Sequence, residues 1–136
     1  MEYSFHNHTA DIRYECEADS FEELLIAAAQ ALYAVALVRD EGHGNERRVL
    51  ELAGPRAHEE YMVRFLQDLI YLLDTEHFVA DLFTIAPRTE GGYDIELEGC
   101  LCSPDDRAAE VKAATYHGCE VRRHEGRWIA NIVLDV

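Results

Sequence analysis

The sequence predicts an α+β fold in which a mostly antiparallel sheet carries two main helices packed on one face. Two segments place apolar residues at helical spacing, several others alternate apolar and polar residues as half-buried strands do, and the strands crowd into the second half of the chain. With 136 residues, 49% of them hydrophobic, the chain carries enough apolar mass for one core, so residues 1–136 are expected to form one domain.

Each element has its own signature. Tyr3 to His6 reads as a short strand with aromatics at alternate positions, and Ile12 to Ala18 as a second, with Ile12, Tyr14, Cys16 and Ala18 on one side. His8 to Asp11 forms the turn between them. Ser20 precedes Glu23 by three, the spacing of a capping box, and Phe21, Leu24, Leu25, Ala28, Leu32 and Val35 follow on one face, so a helix is expected from about Phe21 to Leu37. After a polar loop with Gly42 and Gly44, Arg47 to Leu52 alternates as a strand. Beyond Gly54-Pro55, Tyr61, Phe65, Leu66, Leu69, Ile70 and Leu73 make the stripe of a second helix, from about Ala57 to Asp74, with Glu59 and Glu60 at its favourable N-terminal end. The remainder reads as strands: Phe78 to Ala86, Tyr93 to Leu101, Lys112 to Arg122 and Trp128 to Leu134, with a helical turn within Ser103 to Ala109.

Twelve basic side chains against twenty-seven acidic ones give a net charge of −15. Such a field repels phosphate backbones, so no direct nucleic-acid binding is expected, and a basic protein partner or a cation suits it better. Acidity that serves only solubility accounts for the same number. The start, Met1 to His6, lacks the basic and apolar regions of a signal peptide, and no apolar run is long enough to cross a bilayer. A soluble, cytoplasmic protein without membrane attachment is expected. Cys16, Cys100, Cys102 and Cys119 lack the paired spacing of a zinc site and read as buried, unbridged thiols. Eleven of the twelve basic residues are Arg, so Lys112, the sole lysine, marks a position where a compact ammonium replaces the planar guanidinium, by need or by chance.

Three stretches hold candidate chemistry. In the turn His8-Thr9-Ala10-Asp11, Asp11 is a hard oxygen donor and His8 a supporting or catalytic group, although all these residue types also serve turns by bonding nearby backbone. At the other end, Val133-Leu134-Asp135-Val136 sets a side-chain carboxylate beside the terminal one. If Asp11 lies near them in the fold, three carboxylates converge and repel unless a cation such as Ca²⁺ or Mg²⁺ neutralises them. Fraying of that end is disfavoured by Trp128, Ile129, Ile132, Val133 and Leu134. The third stretch, Glu110 to His117, read as a strand, puts Lys112, Ala114 and Tyr116 on one side and Thr115 and His117 on the other. Packing is the ordinary role of Tyr116 and His117 there, while Lys112 suits either a surface ion pair or a grip on an acidic group.

These stretches carry a resemblance. His8-Thr9-Ala10-Asp11-Ile12 is similar to the HTADI opening of the archease family, Glu110 to His117 resembles its EVKAxTYH motif, Leu69 to Glu76 looks like its middle helix and exit, and Val133 to Val136 matches its apolar-apolar-Asp-aliphatic finish. The resemblance covers essentially the whole chain in order. It implies a protein that is not an enzyme but an activator of the GTP-dependent RNA ligase that joins 2′,3′-cyclic-phosphate or 3′-phosphate ends to 5′-hydroxyl ends in tRNA splicing and RNA repair. The activator would promote guanylylation of the ligase's active-site histidine, sustain multiple turnover and widen nucleotide use. By position, Asp11, Asp135 and the terminal carboxylate of Val136 would hold a divalent cation, Ca²⁺ or Mg²⁺. His8, Thr9, Lys112, Tyr116 and His117 are the implied contacts with ligase or nucleotide. Where the family commonly has Gly after HTADI this chain has Arg13, a cation two residues from Asp11. Two other readings fit the residues: a metal-dependent enzyme on RNA ends or small phosphates with His8 or His117 as base, and a chaperone-like module for an RNA-processing enzyme.

Overall fold

The computed structural model of the protein describes residues 11–39 and 42–136. The elements in order are β1 (Asp11–Ala18), α1 (Phe21–Ala36), β2 (Glu46–Ala53), α2 (His58–Glu76), β3 (Phe78–Pro87), β4 (Gly92–Leu101), a 3₁₀ turn (Pro104–Asp106), β5 (Ala113–Ala114), β6 (Glu120–His124) and β7 (Arg127–Asp135). The α+β class is as the sequence predicts, and the antiparallel strands divide between two sheets. One contains β2-β4-β3; in the other, β7 is central, flanked by β1 on one edge and by β5 and β6 on the other. The expected strand Tyr3 to His6 lies outside the described residues.

Both helices begin where their caps allow. Ser20 Oγ accepts the Glu23 N–H at 3.1 Å, and its hydroxyl in turn faces Glu23 Oε1 at 3.2 Å. Ala57 has no capping side chain, so Glu60 reaches back and accepts the Ala57 N–H at 3.3 Å. α2 ends at His77, which takes the left-handed conformation at φ 58° and turns the chain directly into β3. Leu24, Leu25 and Leu32 of α1 and Phe65, Leu66 and Leu69 of α2 are fully buried, and they share one core with Ile95 and Leu97 of β4 and Leu134 of β7. The helices thus join the two sheets: α1 packs on β1 and β7, while α2 packs on β2, β3 and β5.

One strand differs from its expected extent. Lys112 to Arg122 is not continuous: β5 is two residues long, and Thr115 to Cys119 leave the ladder before β6 resumes it along the same edge of β7. Gly118 has φ +83°, and Thr115 Oγ1 accepts the His117 N–H at 2.8 Å, both marks of a turn. Lys112, Ala114 and Tyr116 nevertheless keep to the side that faces α2, as the alternation predicts, but they differ in burial. Ala114 is buried, whereas Lys112 and Tyr116 are exposed.

Candidate functional site at the Asp11–Asp135 pair

The β1–β7 pairing sets Asp11 opposite Asp135, Ile12 opposite Leu134, and so on to Ala18 opposite Trp128. Register partners share a face. Tyr14 donates its hydroxyl to Ala28 O of α1 at 3.0 Å, which fixes the face of Ile12, Tyr14, Cys16 and Ala18 as the inner one. Asp11 and Asp135 consequently stand together on the outer face. Ala113 of β5 is the partner of Asp135 on its other side, and Lys112 N–H donates to Asp135 O at 2.8 Å. The motif around Lys112 is thus tied by its backbone to the carboxylate-bearing end of β7.

Asp11 and Asp135 are opposite neighbours of like charge, an arrangement that destabilises a sheet unless it is neutralised. Arg13 supplies part of this: it sits on the Asp11 side of β1 and places Nη2 3.6 Å from Asp11 Oδ2, with both side chains substantially exposed. Asp135 has no cationic side chain paired with it among the described residues. The side-chain donors at this corner are the carboxylates of Asp11 and Asp135, hard oxygen groups of the kind that suit Ca²⁺ or Mg²⁺ rather than a soft metal. Among the described residues, no group of three or more His, Cys, Asp or Glu side chains that could hold a metal ion occurs, at this corner or elsewhere.

Lys112 faces the other way, toward α2. It lines a shallow groove of about 540 Å³ with Tyr116, Arg64, Gln67, Asp68, Tyr71 and Asp74. Gln67 Oε1 accepts the Ala114 N–H at 3.1 Å and so pins β5 to the helix. Burial raises the pKa of the Asp68 carboxyl, and the Arg64 guanidinium, 3.7 Å away, opposes that shift. Lys112 has no carboxylate partner among the described residues. Tyr71 and Tyr116 are strongly exposed for aromatic residues, at 64% and 58%.

Of the implied site residues, Asp11, Asp135, Val136 and Lys112 meet at one corner of the molecule, Lys112 through its backbone, and Tyr116 joins the groove beside it. His117 is exposed on the turn. His8 and Thr9 lie outside the described residues. Sequence reasoning missed the helical wall of the groove. Its signal was present as a polar stripe, Arg64, Gln67, Asp68, Tyr71 and Asp74, at helical spacing on the face opposite the apolar one.

The Archease protein family model matches residues 3–136. The chain is 35% identical to the archease of Archaeoglobus fulgidus, with all of both chains covered, and 32% identical to that of Pyrococcus abyssi, with 98% of each covered. Its fold is similar to the crystal structure of an archease, described as a possible chaperone, from Thermotoga maritima. That likeness has a TM-score of 0.73 at 22% identity and covers 100% of this chain and 98% of the other.

Proposed function

The chain belongs to the archease family, and on that premise we propose that it is a metal-binding accessory protein that activates a GTP-dependent RNA ligase of the tRNA-splicing and RNA-repair type. It would promote guanylylation of the ligase's active-site histidine, sustain multiple turnover and widen the nucleotides the ligase accepts. The observation that carries this reading is the register pairing of Asp11 with Asp135, which brings two anionic donors from opposite ends of the chain to one place. The family and relatives are named for no chemical reaction, which supports an accessory protein over an enzyme.

Asp11, Asp135 and the carboxylate of Val136 would hold the cation, which when bound supplies positive charge for nucleotide phosphates. Arg13 competes with that cation for Asp11. Lys112, exposed and without an ion-pair partner among the described residues, offers a mobile ammonium to an acidic group of the ligase or its nucleotide. The −15 charge favours docking on a basic protein and disfavours direct contact with RNA.

Ligase turnover at limiting ligase, with excess RNA and GTP, tests the reading. Many turnovers with the chain present and about one without it is the expected result; identical progress curves would refute activation. The name of the Thermotoga maritima relative supports a second reading, a chaperone-like module. Asp135→Ala separates the two, because a chaperone needs no carboxylate there and an activator that works through the cation loses its effect.

A further inference from the structure

A cleft of about 530 Å³ opens between the C-terminal end of α1 and β3, away from the corner where Asp11 pairs with Asp135. Tyr33, Leu37, Val79 and Phe83 give it apolar walls, and Asp81 is its acidic group. Asp81 occupies a break in the β3–β4 register: Ala80 pairs with Gly99 and Leu82 with Glu98, so Asp81 is the extra residue of a bulge. Bulges bend a strand and re-aim a side chain. Gly99 lets the strands close beside it, since a Cβ there would lie 1.8 Å from Val79 O.

The carboxylate so aimed is poorly satisfied. Both Asp81 oxygens are buried, and neither accepts a hydrogen bond among the described residues. The imidazole of His43 makes ion-pair contact with Oδ2 through Nδ1, but that side chain is 82% exposed. Arg39, on the same rim, is committed to Asp106 at 2.8 Å. Buried carboxylates are ordinarily matched by donors, so the geometry leaves Asp81 able to accept from an incoming group.

We infer that this cleft docks an arginine side chain of a basic protein partner, with Asp81 as its counter-ion and His43 as the group it displaces. A guanidinium presents two parallel N–H donors to one carboxylate, sheds water more easily than an ammonium, and lies flat against rings such as those of Tyr33 and Phe83. The acidic field of the whole chain draws such a partner in. The inference does not depend on whether the terminal carboxylates bind a cation.

Acetyl-arginine-methylamide titrated into the isotope-labelled full chain tests it by NMR. Side-chain resonances of Tyr33 and Phe83 should shift, and the neutral isostere acetyl-citrulline-methylamide should leave them in place. Asp81→Asn should weaken the response by about tenfold or more, the usual cost of losing a charged hydrogen-bond partner. His43→Ala, a change on an exposed loop, should strengthen it. Absence of any shift in the His43→Ala chain, or equal responses to the arginine and citrulline probes, would overturn the inference. Tighter binding of free arginine than of the blocked form would indicate an amino-acid ligand and overturn the docking of a protein side chain.

Discussion

Asp11 and Asp135, 124 positions apart in the numbering, are direct register partners across β1 and β7 and share the outer face of the sheet. Only Arg13, at 3.6 Å from Asp11, offsets their like charge among the described residues. The pair couples stability to charge at this corner, and several consequences can be measured.

Asp11→Asn should raise the thermal midpoint slightly in chelator, because opposed like charges on neighbouring strands cost roughly 0.2–1 kcal/mol. Added Ca²⁺ should raise the midpoint of the unaltered chain and leave that of Asp11→Asn nearly fixed. Scanning calorimetry of both chains, with chelator and with Ca²⁺, checks this; equal Ca²⁺ responses would remove Asp11 from the ligand set.

Arg13→Gly should tighten cation binding severalfold, since it removes the competing guanidinium from Asp11. Without metal the substitution should lower stability by roughly 0.5–1 kcal/mol, because glycine weakens the interior of β1 and the Asp11–Asp135 repulsion is no longer offset. Isothermal titration with Ca²⁺ is the measurement, and unchanged affinity would mean that Arg13 does not compete. A glycine appended after Val136 turns its carboxylate into an amide and should weaken the same titration.

Lys112→Ala should lower ligase activation without shifting the melting temperature, because the side chain is exposed and unpaired among the described residues. Lys112→Arg should fail to restore activation if a compact ammonium is what the position requires. Ligase turnover and thermal melts of both variants decide it.

Burial pushes the thiols of Cys16 and Cys119 up to about 11, with Glu15 and Glu59 respectively adding to the shift. The folded chain holds these protons more tightly than the unfolded one. Their contribution to stability is therefore complete below the ordinary thiol range and is lost as pH rises from there through about 11. Urea midpoints should fall over that window, and the fall should be shallower in Cys16→Ala/Cys119→Ala. A slope unaffected by the double substitution would assign the loss to other groups.

Gly92→Ala should destabilise the chain by more than about 1 kcal/mol, because a positive-φ site penalises any Cβ. At Gly92, φ is +95° and the Cβ would lie 2.1 Å from Leu52 O. Gly126→Ala is the comparison, since its φ of +81° imposes the same strain with open space around it. Chemical denaturation of the two should rank Gly92→Ala as the more severe.

The sequence by itself determined the elements and the class. Apolar periodicity places α1 and α2 to within a few residues, because a helix must bury a continuous stripe whatever surrounds it, and alternation does the same for β1, β2, β3, β4 and β7. It also held the candidate residues of the corner, as motifs recognisable in order along the chain. Tertiary structure decided what those motifs mean together. Alternation is a local property and carries no register, so only the β1–β7 pairing brings Asp11 beside Asp135, and only packing against α2 turns Lys112 and Tyr116 into one wall of a groove. The split of the expected strand at Gly118 has the same origin. Residues Thr115 to Cys119 alternate well enough to read as β, but the edge of β7 is shared by two short strands, and the chain between them must turn away to keep both in register.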